Sequence, residues 1–92
     1  MPVTVRIPTQ LRELSGGNAE VSADGGSLAS VLQGLETAHP GFRERLFDDQ
    51  GELRRFVNVF VDDEDIRFLD GVNTDVADGA TVSIVPAVAG GN

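Results

Sequence analysis

The sequence predicts an α+β domain, a single sheet with one main helix packed across it. Three features carry that expectation. Apolar and polar residues alternate with a period of two over residues 3–7 and 19–23, the repeat of a strand with one buried face. Leu28, Val31, Leu32, Leu35 and Ala38 recur instead at helical spacing and form one continuous stripe. The third feature is an absence: residues 71–79, where a split βαβ arrangement needs a second full helix, hold Asn73, Asp75 and Asp78-Gly79 in place of a helical period. With 92 residues the chain fits one domain, since a core of this size buries roughly 60 to 65% of the unfolded chain's surface and leaves little for a second.

Each element follows from its residues. Val3, Val5 and Ile7 alternate with Thr4 and Arg6, and Ala19, Val21 and Ala23 alternate with Glu20 and Ser22, so the two segments read as an opening hairpin. Their connection, residues 8–18, is long, but Leu11 and Leu14 fold back on the core and Ser15-Gly16-Gly17-Asn18 supplies the turn. Asp24-Gly25-Gly26 stops the second strand, and Ser27 stands where a hydroxyl accepts from the first free helical amides. Pro40-Gly41 ends the helix by removing a donor and loosening the backbone. Gly34, opposite the apolar stripe, costs roughly 1 kcal/mol of helix propensity.

Residues 42–47 add a short further turn before the polar loop 48–52. Residues 56–61 are apolar at five of six positions, the pattern of a central strand buried on both faces. Asp62-Asp63-Glu64-Asp65 turns the chain, residues 66–68 form a short strand, and residues 81–85 form the last one, with Val82 and Ile84 facing one way. Pro86 prevents its continuation as a paired central strand. Because one helix covers one face, the other face of the sheet is left partly available to a partner.

Composition narrows the function. Leu, Ile, Val and Phe number 28 of 92 residues, well above the level of roughly a fifth below which a charged chain stays disordered. A net charge of −8 argues against a nucleic-acid ligand and favours encounter with basic partner surfaces. The absence of cysteine removes disulfides, thiolate metal sites and thiol nucleophiles, so any sulfur handled comes from outside. No apolar run approaches the length of about 20 residues that spans a bilayer, and residues 1–10 contain no unbroken apolar signal region, so no membrane contact and a cytoplasmic address are expected. All seven basic residues are arginine. One reading is that an activated carboxyl on this chain finds no lysine of its own to acylate; the other is a base composition that favours arginine codons.

The usual carriers of chemistry are missing from the body of the chain. His39, the only histidine, precedes Pro40 at the helix end, where a positive charge meets the negative end of the helix dipole, and no nucleophile is arranged around it. The acidic run 62–65 lacks the glycine and distal glutamate of a calcium loop and reads as a solvated turn. No glycine pair is followed by Lys-Ser or Lys-Thr, so no phosphate-cradling loop is present. No catalytic residue and no metal ligand is assigned.

What remains is the end of the chain, "VPAVAGGN" over residues 85–92. Residues 1–86 read as the folded domain and residues 87–92 as a flexible C-terminal tail. Extended at about 3.3 Å per residue, Ala87, Val88, Ala89, Gly90 and Gly91 reach roughly 16 Å past Pro86, enough to enter another protein's pocket. Two residues without Cβ atoms let the backbone approach a bound nucleotide closely. A terminal carboxylate, with a pKa of about 3.5, is ionised at neutral pH and a poor electrophile, so an enzyme has to activate it.

The segment "DGATVSIVPAVAGG", residues 78–91, resembles the ending of the ThiS/MoaD-type sulfur-carrier proteins, which have the ubiquitin-like β-grasp fold. "RFVNVFVDDEDIRFLDG", residues 55–71, and the strand-strand-helix-strand order extend the similarity over nearly the whole chain. The resemblance implies a mixed sheet of four to five strands with one main helix, and a carrier that catalyses nothing and binds no cofactor. A ubiquitin-activating-type adenylyltransferase and sulfurtransferase would use ATP to adenylate the carboxyl of Gly91, and a sulfur source would displace AMP to leave a thiocarboxylate. A cysteine-synthase-like enzyme would then take the sulfur, and a zinc metallopeptidase would release cysteine. Pro86 to Gly90 would thread into the partner. Asn92 departs from the family ending and is either removed after Gly91 or incidental. Thiamine, molybdopterin and thio-natural-product pathways suit the same tail, as does a ubiquitin-like modifier or docking role.

Overall fold

The computed structural model describes residues 2–86. The opening hairpin forms as expected: β1 (Val3–Arg6) pairs antiparallel with β2 (Glu20–Ala23), with Val3 opposite Ala23 and Arg6 opposite Glu20. Their connection contains a 3-10 turn, Thr9–Ser15, that buries Leu11. It also buries Ser15, whose hydroxyl lies 2.8 Å from the carbonyl of Asn18 and 3.1 Å from that of Arg12. A buried hydroxyl is tolerated because those carbonyls are within its reach.

A two-residue strand, β3 (Gly26–Ser27), leads into helix α1 (Leu28–Ala38), and the Ser27 hydroxyl accepts from the Ser30 amide at 3.2 Å. Leu28, Val31, Leu32 and Leu35 are buried against the sheet, while Ala38 at the end of the stripe is exposed. A short helix, α2 (Phe42–Leu46), follows and buries Phe42 and Leu46. The Glu36 carboxylate supplies its missing N-terminal acceptor, taking the amides of Gly41 and Arg43, the latter at 2.7 Å. Gly41 has φ +114°, a conformation that favours glycine, and a Cβ there would also press on a Leu14 methyl at 3.0 Å.

The second half of the chain departs from expectation in three places. Strand β4 (Val57–Val61) alternates, with Val57, Val59 and Val61 buried and Asn58 and Phe60 partly exposed, so it is not buried on both faces; α1 covers one face of the sheet. Phe56 falls outside the strand and is about half exposed, at 51%. The short strand expected at 66–68 is instead a 3-10 turn, Ile66–Phe68. The pairing segment lies earlier, at β5 (Glu64–Asp65), with Val61 opposite Glu64 and Phe60 opposite Asp65. Asp62 and Asp63 therefore form a two-residue hairpin loop with φ +49° and +71°, the left-handed pair that suits the twist of the flanking strands. The third departure lies in residues 71–79, which contain no full helix but do contain a 3-10 turn and a strand, β6 (Asp75–Val76), that pairs with β3.

Strand β7 (Thr81–Pro86) completes a mixed five-stranded sheet of order β2-β1-β7-β4-β5, parallel to β1 and antiparallel to β4. Pro86, the last described residue, is still paired, opposite Val57, one position beyond the expected end. The pairing with β1 stops earlier, at Ser83 opposite Arg6. From Ile84 onward the strand has a ladder on one side only, and the amide that proline lacks is not needed on the other.

Two substitutions in α1 test this packing. Leu35→Ala is expected to cost about 2–5 kcal/mol in urea unfolding, because Leu35 is 2% exposed and its loss leaves a cavity. Gly34→Ala, where a new Cβ meets nothing within 4 Å, is expected to raise stability by roughly 0.5–1 kcal/mol.

Candidate functional site

Among the described residues, no group of three or more His, Asp or Glu side chains is placed to hold a metal ion, and none of the buried side-chain nitrogens and oxygens lacks a hydrogen-bond partner. The fold instead builds a root for the C-terminal segment. β7 lies between β1 and β4 over its first half and ends at one end of the sheet. Of the residues expected to thread into a partner or to carry the cargo, Pro86 is the one within the description, at the end of β7; Ala87, Val88, Ala89, Gly90 and Gly91, and Asn92 after them, lie outside the described residues.

The face of the sheet away from α1 can be read from the register. Thr4 and Arg6 of β1, Thr81, Ser83 and Val85 of β7, and Asn58 and Phe60 of β4 alternate with the buried residues and lie across from one another in pairs. Val85 is 47% exposed and sits opposite Asn58. Apolar area beside polar strand residues is the composition of a surface that another protein can cover. Phe68, in the 3-10 turn after β5, is more exposed still, at 87%.

One polar cluster on this face was not evident in the sequence. The Asp65 carboxylate accepts from the Arg67 backbone amide at 2.9 Å and from its guanidinium at 2.8 Å. The same guanidinium donates to the Asn58 side-chain oxygen, so Arg67 is held beside the strand pair from which the tail departs. The signal that could have revealed part of it is the Asp-x-Arg spacing, since an aspartate readily accepts from the amide two residues on. The contact to Asn58 spans nine residues and depends on the β4-β5 register. Side-chain hydrogen bonding from Arg67, followed by its backbone amide, holds the Asp65 carboxyl below the usual carboxylate range, and Asp65 in turn raises the Arg67 guanidinium.

A mixed β-grasp sheet with one helix across it, delivering its last strand from the middle of the sheet, defines the class: a small ubiquitin-like protein. The ThiS family model matches residues 5–91, and the chain belongs to that family. Sulfur carrier protein CysO of Mycobacterium tuberculosis is 53% identical over 93 residues, covering 99% of this chain and all of the relative. The structure is also similar to a chain of the Amycolatopsis orientalis BexX/CysO complex, with a TM-score of 0.90, 46% identity, and 97% and 99% of the two chains covered. Small archaeal modifier protein 3 of Haloferax volcanii is 40% identical over 68 residues, 74% of this chain and 73% of the relative.

The lowered Asp65 carboxyl has a definite pH signature. A carboxylate depressed in the folded state contributes stability that is complete above the unfolded value, about 3.9, and is lost as pH falls through the lower folded value. A carboxyl NMR titration is expected to place Asp65 below an ordinary aspartate, and Arg67→Gln to move it back toward the ordinary value. An unchanged midpoint in that variant would remove the pair from the description of the site.

Proposed function

We propose that the chain is a sulfur carrier whose cargo is held at the C-terminal carboxyl of Gly91, after removal of Asn92, as a thiocarboxylate. The family membership and the full-length likeness to a CysO sulfur carrier support this reading, and the single structural observation behind it is that the tail follows directly on a central strand. The body stays rigid while the end of the chain is presented for reaction. The carrier contributes no catalytic side chain, and partner enzymes do the chemistry.

Activation is the work of a ubiquitin-activating-type enzyme that adenylates the Gly91 carboxyl with ATP, releasing pyrophosphate. A sulfur donor then displaces AMP, and the oxygen that leaves with the nucleotide is replaced by sulfur. The narrow residues Ala87, Val88, Ala89 and Gly90 enter the enzyme's channel, while Val85 and the sheet face around it meet the channel's outer surface. The favoured acceptor is an activated serine derivative on a cysteine-synthase-like enzyme, with a zinc metallopeptidase cutting the resulting peptide bond to free cysteine. Thiamine, molybdopterin or a thio-natural product as end point would leave the carrier's chemistry unchanged.

A second reading, a ubiquitin-like modifier, is favoured by the likeness to a small archaeal modifier protein. It uses the same activated carboxyl but ends in an isopeptide with a target amine, so it needs no sulfur donor. The two part at the product.

Incubating the chain ending at Gly91 with its activating enzyme, ATP and sulfide is expected to raise the intact mass by the difference between one sulfur and one oxygen atom. Absence of that gain, together with ladders of higher-mass conjugates in cells, would replace the carrier reading with the modifier reading. A chain lacking residues 90–92 is expected to gain no sulfur and to melt as the full chain does, because the last buried apolar side chain among the described residues is Ile84.

A further inference from the structure

β2 is an edge strand: among the described residues it pairs with β1 and has no neighbour on its other side. The Ile7 amide donates to the Ala19 carbonyl at 2.7 Å. Antiparallel alternation from that bond turns the backbone of Val21 toward β1 and that of Glu20 and Ser22 toward the open side. Between this edge and α1 lies a groove of about 470 Å³, with Ser22 and Asp24 in its strand wall and Ser30, Val31 and Gly34 in its helix wall. Gly34 is the odd residue there. It stands in the interior of a regular helix, at a cost of roughly 1 kcal/mol of propensity, and a Cβ on it would meet nothing within 4 Å. No contact among the described residues requires the glycine. What its missing side chain provides is room for a second backbone to lie close to the helix.

The charge around this groove has one sign. Residues 13–42, which supply β2, β3 and α1, hold Glu13, Glu20, Asp24 and Glu36 and no arginine, and residues 68–86 add Asp70, Asp75 and Asp78, again with none. Asp24 lines the groove, and an Asp78 carboxylate oxygen lies 2.9 Å from where a Cβ on Gly25 would stand. Neither is ion-paired among the described residues. The arginines are elsewhere. Arg6 and Arg12 belong to the other end of β2, Arg6 3.8 Å from Glu20 and Arg12 turned onto the Ile7 carbonyl. Arg43 lies on the opposite flank of α1, in a groove with Gln33 and Glu36, and Arg45, Arg54, Arg55 and Arg67 belong to α2 and the β4 side. With the α-amino charge of Met1, next to Pro2, counted against them, Asp24, Asp78 and Asp75 still leave the balance negative.

We propose that this groove is a docking site for an extended, basic segment of a partner protein, which adds to β2 as a further strand of the sheet. Its backbone bonds to the open amides and carbonyls of Glu20 and Ser22. Small apolar side chains at alternate positions enter the groove over Val31 and Gly34, and a lysine or arginine beyond them reaches Asp24 and Asp78. The site stands clear of the chain's reactive end. Thr4 pairs with Thr81, the first residue of β7, so the groove, which includes Pro2, lies at the end of the sheet opposite Pro86, roughly 17 Å away along the strand. A partner seated there holds the body and leaves the end of β7 uncovered, whatever the tail carries.

A library of random decapeptides displayed on phage, selected against the immobilised full chain, tests this. Enriched peptides are expected to be rich in β-branched residues, with arginine or lysine toward one end. The best of them, made synthetically, is expected to shift the amide NMR signals of Glu20, Ser22, Ser30 and Gly34 and to leave those of Asn58 and Val85 in place. Gly34→Leu, which fills the groove while improving the helix, is expected to weaken that peptide about tenfold and to melt no lower than the unaltered chain. Asp24→Asn with Asp78→Asn is expected to weaken it about three- to tenfold at low salt and to flatten its salt dependence. Ser22→Pro removes an amide that faces the open side and serves no bond inside the sheet, and is expected to weaken it likewise. Failure to enrich any peptide, enrichment of uncharged or acidic ones, or binding indifferent to Gly34→Leu and to the double aspartate variant would overturn the proposal. A chain that sediments as a dimer and is returned to monomer by Gly34→Leu would make the occupant a second copy, and would overturn it as well.

Discussion

The structure depends on β7 lying in the middle of its sheet. The last strand of the described chain pairs with β1 on one side and β4 on the other, and Val82 and Ile84 project from it into the core under α1 at 0% and 3% exposure. An edge strand would leave the C-terminus on a frayed border. A central strand fixes the place and direction from which the tail starts, because moving it would break two ladders and lift two core side chains together. The early end of the β1 ladder, at Ser83, is part of the same arrangement. It frees one side of the final described residues, so that Pro86 fits.

Much of this was legible in the sequence, and for physical reasons. The hairpin of β1 and β2, the stripe of α1 and the Ser27 cap all follow from local periodicity and a side chain acting on nearby amides, which sequence records directly. The misreadings share another cause. Residues 56–61 looked buried on both faces because Phe60 is apolar, yet its side of the sheet is uncovered; apolar composition does not say which neighbour is absent. The strand expected at residues 66–68 moved to Glu64–Asp65 because the tight Asp62-Asp63 loop fixed the register, and charged residues are poor advertisements for a strand. The β3-β6 pair joins segments about fifty residues apart, a contact to which no local pattern points.

The arginines do not stand apart from the acids. Arg6 faces Glu20, Arg67 is paired with Asp65, and Arg54 shares a groove with Glu44, Asp48 and Asp49, while Asp62, Asp63 and Glu64 at the β4-β5 loop have no arginine in their segment. Arg67 shows what the fold adds to composition: its Asp65 partner lies on the adjacent turn, but the Asn58 that aims it belongs to another strand, a contact that only the register reveals.

The parallel pairing of β1 with β7 has a mechanical meaning. Tension applied between the start of the first strand and the end of the last slides these two neighbours past one another, loading their cross-links together rather than peeling them one by one. A pull on the end of β7 is thus borne along the strand's length, by all the bonds of its ladder with β1 at once, and yielding is set by the rate at which the whole ladder gives way.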